Sequence, residues 1–340
     1  MKIKAAYFNN GFRGDKNRMI HRSYSQQTQD ALVDILDIST EVYTKDDITN
    51  PALSQTEIIF TSWYMPVLTE EEISIYLPNL KIIFYGAGSV QGFARPFLSK
   101  GIRVVSAWAA NAVSVAEFTA AQIILANKGY FLATVLHKQG VDKARDNSKW
   151  EFPGSFDTTV GIIGAGMIGR KVIEILKACN VRINFLVYDP FFPEEKAESL
   201  GVRKCSLEEL FSQSQTISNH VANNDKTKGM LNYDLFKLMK ENAVFINTGR
   251  GAQVIEDDLA RALTEFPERT ALLDVTDPEP PKDGHVFYKM PNVFLTGHIA
   301  GVIGRESHRM GEYMLEELKR YLSGEALVYE VTMDMLETMA

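Results

Sequence analysis

Short runs of β-branched and aromatic residues recur along the chain, separated by amphipathic stretches. IKAAYF (3–8), EIIFTSW (57–63), KIIFYGAG (81–88) and GIRVVSAW (101–108) are runs of strand-forming type bounded by turn-forming or polar residues. Between them, QQTQDALVDILD and TEEEISIYL carry helical periodicity, and Thr69 with Glu72 has the Ser/Thr-x-x-Glu spacing of a capping box. Strands alternating with helices favour a mostly parallel sheet wrapped on both faces.

The spacing then predicts one long helix over about 111–138, a plausible bridge between domains, followed by a polar loop, ARDNSKWEFPGSFD, interrupted by Pro153 and Gly154. TTVGIIGAGMIGR opens a second alternating series, with strands at VGIIG, NFLVYD, TISNHV, AVFINT, TALLDV and VFLTG. That order is the pattern of a Rossmann domain. The last amphipathic segment, GRESHRMGEYMLEELKRYLSGE, is expected to return and pack on the first domain.

The 340 residues exceed what one core usually holds, so two domains are expected. A net charge of −7 argues against nucleic-acid and anionic-membrane partners, which need a concentrated basic surface. Cys179 and Cys205 lie in no metal or redox spacing; two buried thiols are expected, and no metal site. The N-terminus MKIKAAYF lacks the apolar core of a signal peptide, and no run of about 18 apolar residues occurs. A soluble cytoplasmic protein is the expectation.

Gly164, Gly166 and Gly169 fall between an apolar strand and a helical run, the context in which G-x-G-x-x-G marks a dinucleotide site. Met167 and Ile168 complete the turn, whose helix N-terminus would face a pyrophosphate. Asp189 ends the following strand, where a carboxylate would hold ribose hydroxyls and favour NAD over NADP; with Pro190 behind it, it also reads as a turn residue.

Downstream, FINTGRG, LDVTDPEP and LTGHIAG place Arg250, Glu279 and His298 at or just beyond strand C-terminal ends, where open α/β sheets bind ligands. Hydride transfer to a 2-keto acid needs a cation for the carboxylate and carbonyl, an acid for the alkoxide, and a group that holds that acid. Arg250, His298 and Glu279 match these needs. His220 reads either as a structural residue or as one lining the cleft side of a strand end. Trp63, Tyr64, Met65, Phe93 and Trp108 read as core or as an apolar wall.

YGAGSV, NAVSVAE, GIIGAGMIG, INTGRG, LDVTDPEP and GHIAG occur in the order seen in the D-isomer-specific 2-hydroxyacid dehydrogenases, which the sequence resembles along nearly its whole length. The resemblance implies two doubly wound α/β domains. A Rossmann NAD-binding domain (108–297) would be inserted into a flavodoxin-like substrate domain (1–107 and 298–340), with a hinge and homodimerisation through the cofactor domains. It implies that Arg250 binds the substrate carboxylate and carbonyl, that His298 exchanges the proton and that Glu279 pairs with it. Gly88 and Ser89 would give N–H groups to the carboxylate. Asp274 would hold the nicotinamide carboxamide, Thr248 would join the cofactor set, and Asn111 would lie at the interdomain cleft.

The chain departs from the family pattern at Ala222, Asn223 and Asn224, where Pro-Leu-Thr is common, at Gly297, where proline is usual, and at Ser89-Val90, where many members have an aspartate. The substrate is therefore expected only as a small 2-hydroxy or 2-keto acid. A second reading is an NADH-sensing binding protein resembling the corepressor-like scaffolds of the same fold, because fold alone does not fix function.

Overall fold

The computed structural model describes residues 2–140, 152–179 and 181–337. Contacts divide the chain into two units, Met1–Asn111 with Val302–Ala340, and Ala112–Gly301. The two points of passage are tied together, since Asn111 Oδ1 accepts a hydrogen bond from the Val302 N–H at 3.1 Å.

In the first unit, strands β1 (Ala5–Phe8), β2 (Val42–Tyr43), β3 (Ile58–Thr61), β4 (Ile82–Tyr85) and β5 (Arg103–Ser106) are parallel. They lie in the order β5-β4-β3-β1-β2, the flavodoxin-like arrangement. A late strand described below pairs antiparallel with β5. Near-continuous burial along β1, β3 and β4 reflects helices on both faces. Phe60 and Phe84 stack at 5.3 Å in this core. Helix His308–Ser323 adds Met310, Met314 and Leu318 to it, so the final amphipathic segment does pack on the first unit. The capping box at Thr69 and Glu72 is present in both directions.

The second unit holds β6 (Phe156–Ile163), β7 (Arg182–Tyr188), β8 (Arg203–Lys204), β9 (Thr216–Asn219), β10 (Val244–Asn247), β11 (Thr270–Leu273) and β12 (Val293–Leu295), while β13 (Glu330–Val331) is the antiparallel edge of the first sheet. The order β8-β7-β6-β9-β10-β11-β12 is that of a Rossmann sheet, reversing direction between β6 and β9. Its two faces bury separate cores. On β10, Phe245 points into a cluster with Phe211 and Phe236, whereas Val244 and Ile246 point to the other face, among Val172, Ile173 and Leu176.

Several expectations need correction. The helix predicted over 111–138 is two helices, Trp108–Asn127 and Tyr130–Gln139, because Gly129 turns left-handed (φ 70°) against the Phe152 ring. The first is long and apolar enough, by length and composition, to cross a bilayer, and it buries Ala116, Ala120, Ile123 and Ala126 in the second unit's core. Cys179 is exposed and Cys205 half-buried, so neither thiol is a core residue. The polar loop predicted around 144–157 lies mostly outside the described residues. Strands β2, β8 and β13 went unread because two residues carry no periodicity. Met65 and Phe93 are core, Trp63 and Trp108 half-buried, and Tyr64 exposed.

Candidate active site

At the end of β6, Gly164 has φ 91°, and a Cβ there would lie 2.8 Å from the Val221 nitrogen and 2.9 Å from the His220 carbonyl. Only glycine permits this approach of the β6 and β9 ends. Gly166 then caps helix Met167–Ala178 without any side-chain acceptor, leaving first-turn N–H groups for a ligand, and Gly166 and Met167 are exposed while Ile168 is half-buried and Gly169 buried. The Asp189 carboxylate accepts the Ala165 N–H at 2.8 Å and the Phe191 N–H at 2.9 Å. It is thus both the turn residue and a brace for the glycine loop, and each oxygen retains a lone pair. A free helix N-terminus, open space above Gly166 and a carboxylate at the neighbouring strand end fit a dinucleotide.

Beyond the reversal point, adjacent strands β10, β11 and β12 carry Arg250, Glu279 and His298 on the loops at their C-terminal ends. Gly251 sits against the next loop so closely that a Cβ would lie 2.0 Å from the Thr276 carbonyl carbon, which brings the Arg250 loop onto the segment leading to Glu279. Burial pulls the Arg250 pKa below its ordinary value, and the nearby Glu279 carboxylate opposes that shift. The guanidinium remains charged and folds one N–H onto the Gly249 carbonyl at 2.7 Å.

His298 Nδ1 lies 2.8 Å from Glu279 Oε1, and both side chains reach solvent. An ionised carboxylate is only an acceptor, so Nδ1 donates and Nε2 is the ring nitrogen left for other partners. His298 itself is left-handed (φ 54°), a conformation costing roughly 1–2 kcal/mol for a residue with a Cβ.

Asp274 supplies the restraint. Its carboxylate accepts from Thr296 Oγ1 (2.6 Å), Ile299 N (2.8 Å) and Ala300 N (2.9 Å), and its carbonyl accepts from His298 N (2.9 Å). One boundary differs from the expectation. Residues 298–301 fall with the second unit rather than with the returning segment, and the buried Asp274 carboxylate holds their backbone in place. The Thr248 hydroxyl lies 3.2 Å from Thr119 Oγ1 and 3.5 Å from His220 Nδ1.

His220 is buried, with Nε2 2.9 Å from Ser218 Oγ, and burial lowers its pKa to about 3. It is a neutral structural histidine. Because the unfolded chain takes up this proton below about 6.5 and the folded one does not, His220 lowers stability as pH falls from about 6.5 toward 3. Between pH 7.5 and 5 the expected loss is about 2 kcal/mol at roughly 1.4 kcal/mol per pH unit. Urea midpoints at both pH values should show a smaller difference in His220→Gln, and equal differences would mean that this group does not drive the acid sensitivity.

In the first unit, Gly88 and Ser89 follow β4. Ser106 Oγ donates to the Ala87 and Gly88 carbonyls, whereas the Gly88 and Ser89 N–H groups have no partner among the described residues. The departure at Ala222–Asn224 is a closed turn, in which Thr227 Oγ1 donates to the Ala222 carbonyl and accepts from the Asn224 N–H. Sequence reasoning missed Gln253, fully buried behind Arg250. The polar residues Asn219 and Asn247, paired across β9 and β10, were a signal that could have revealed its surroundings.

Residues 128–300 match the family model described as "D-isomer specific 2-hydroxyacid dehydrogenase, NAD binding domain". The chain is 35% identical over 227 residues to D-3-phosphoglycerate dehydrogenase of Methanocaldococcus jannaschii, covering 66% of this chain and 42% of that protein. It is 31% identical over 247 residues to the protein of that name from Archaeoglobus fulgidus, covering 72% and 46%. The chain thus spans about half the length of the curated relatives it matches. The same fold occurs in D-mandelate dehydrogenase of Rhodotorula graminis (TM-score 0.76, 18% identity, 96% and 97% covered) and in a phosphoglycerate oxidoreductase from Rhizobium etli (TM-score 0.76, 21%, 96% and 97%). With its Rossmann unit, glycine turn and family match in agreement, the chain belongs to the D-isomer specific 2-hydroxyacid dehydrogenases and carries their NAD-binding domain.

Proposed function

We propose that the protein transfers a hydride between NAD(H) and the 2-position of a small 2-hydroxy or 2-keto acid, with D stereochemistry. The observation that carries this reading is the His298–Glu279 pair at 2.8 Å beside the half-buried Arg250. When bound, the nicotinamide supplies or takes up the hydride. Gly164, Gly166, Met167, Ile168, Gly169 and Asp189 would hold the dinucleotide. Arg250 binds the acid carboxylate and draws electron density from the 2-carbonyl, a task suited to its planar fork. Taken by themselves, the Gly88 and Ser89 N–H groups, without a partner among the described residues, have the chemistry to bind a carboxylate. In reduction the His298 imidazolium gives its Nε2 proton to the forming alkoxide; in oxidation the neutral ring accepts it. Glu279 keeps Nδ1 protonated and the ring aimed.

The relatives named for 3-phosphoglycerate make that acid one candidate beside glyoxylate, pyruvate, hydroxypyruvate and branched keto acids. Absorbance loss of NADH with a panel of 2-keto acids, followed by chiral chromatography, tests the reading, and an L product would contradict the stereochemistry. The corepressor-like alternative predicts a protein partner and no turnover.

Asp189 underlies a second expected result. Its carboxylate would bond a free ribose hydroxyl and repel a 2′-phosphate, so wild type should prefer NADH and Asp189→Ser should relax that preference. Equal kcat/KM with NADH and NADPH in wild type would remove this role.

We further propose a cytoplasmic homodimer without nucleic-acid or membrane partners. The overall negative charge supports the partner assignment. Helix Tyr130–Gln139, rich in apolar residues of which none is fully buried, supports an interface, which sedimentation at several concentrations would test.

A further inference from the structure

Three side-chain amides meet in the interior behind Arg250. Asn219 and Asn247 are register partners at the ends of β9 and β10, Gln253 stands on the loop after β10, and all three are buried. Asn219 Nδ2 donates to Asn247 Oδ1 at 3.0 Å and to Gln253 Oε1 at 2.6 Å. Gln253 Oε1 also accepts the Arg250 N–H at 3.1 Å, and Gln253 Nε2 donates to the Val221 carbonyl at 2.8 Å. Asn247 Nδ2 donates to the Arg250 carbonyl at 3.1 Å, and Asn247 Oδ1 accepts the Gly249 N–H at 3.1 Å. A side chain at Gly249 would strike Gln253 Oε1 at 2.7 Å, so the amides fill the space beneath this loop.

Burying amides in place of hydrocarbon gains little net stability, and it demands that every partner be in position. Here the partners converge on one residue, with the N–H and C=O of Arg250 each held by a separate amide. The far end of Gln253 holds Val221, the entry to the 222–224 turn.

We propose that Gln253 is a positioning residue: acting through the Arg250 main chain, it fixes where the guanidinium presents itself and couples that placement to the Val221–Asn224 segment. This rests on Arg250 binding the acid. Small displacements of a binding group are costly, on the order of a hundredfold in rate per ångström, so loosening this clamp weakens acid binding even though Gln253 touches no ligand.

Gln253→Leu alone would cost Asn219 Nδ2 one of its two bonds, orphan Arg250 N and Val221 O, and could fail to fold. The test therefore pairs it with Asn219→Leu/Gln253→Leu, which replaces both facing amides by hydrocarbon. In the NADH-bound double variant, hydrogen exchange should accelerate in the segments covering 219–224 and 247–253. Oxamate, an unreactive keto-acid analogue, should bind about tenfold more weakly, with KM raised more than kcat is lowered and NADH affinity within about twofold of wild type. Gln253→Glu, which keeps the acceptor for Arg250 N but loses the donor to Val221, should loosen 219–224 more than 247–253. Unchanged exchange in both segments, or unchanged oxamate affinity and KM despite faster exchange, would overturn the proposal. If wild type reduces no keto acid, the functional reading falls, while the exchange data still decide whether Gln253 holds the Arg250 loop.

Discussion

Replacing His298 with alanine is expected to slow turnover by about 10² to 10⁴ in both directions while leaving NADH binding intact, because a positioned general acid or base is typically worth that much. The backbone bonds that shape this loop come from Ile299, Ala300 and the His298 N–H to Asp274, and alanine keeps all of them. The loss should therefore fall on kcat. Reduction consumes the imidazolium and oxidation the neutral ring, so the wild-type reductive rate should fall with rising pH while the oxidative rate climbs, and both trends should vanish in His298→Ala. Glu279→Gln should mimic part of the defect. A glutamine amide can present its NH₂ group to Nδ1 and impose the opposite tautomer, leaving Nε2 protonated and unable to act as a base. Stopped-flow rates for the three proteins in both directions check this, and a His298→Ala enzyme within threefold of wild type would remove His298 from the chemistry.

The second large effect concerns Arg250. Arg250→Lys keeps the charge but loses the planar fork, so it should raise KM for the keto acid and lower kcat. The combined loss in kcat/KM should be about ten- to a hundredfold, equivalent to one charge-assisted hydrogen bond of about 1.5–3 kcal/mol. NADH affinity should change little, since the glycine turn and Asp189 follow β6 and β7, different strands from the β10 that precedes Arg250. An unchanged kcat/KM, measured with saturating NADH, would mean that Arg250 does not meet the acid.

The parts of the fold and site that could be read along the chain are those whose signal is local. Gly164, Gly166 and Gly169 with Asp189 announce themselves by spacing, and Arg250, Glu279 and His298 by following apolar runs that end at one edge of a sheet. The break at Gly129 did not, because a single glycine costs a helix only about 1 kcal/mol and helix-forming residues continue on both sides. The turn depends on Phe152 packing where a Cβ would go, which no local window contains. The backbone role of Asp274 was hidden for the same reason: its partners Ile299 and Ala300 lie 25 and 26 residues on. Gln253 was missed because Asn219 and Val221, which satisfy it, come 34 and 32 residues earlier. A buried glutamine on a loop reads as solvent-facing until those partners are known.

The central claim is hydride transfer to the 2-position of an acid bound at Arg250, and isotope transfer tests it most directly. NADH carrying deuterium on the transferred face of C4 is incubated with the keto-acid panel, and the products are analysed by mass spectrometry and chiral chromatography. The account predicts one deuterium at C2 of a D-2-hydroxy acid, formed by wild type and lost in step with activity in His298→Ala. NADH binding by the wild-type protein, with no deuterium entering any acid of the panel, would contradict it.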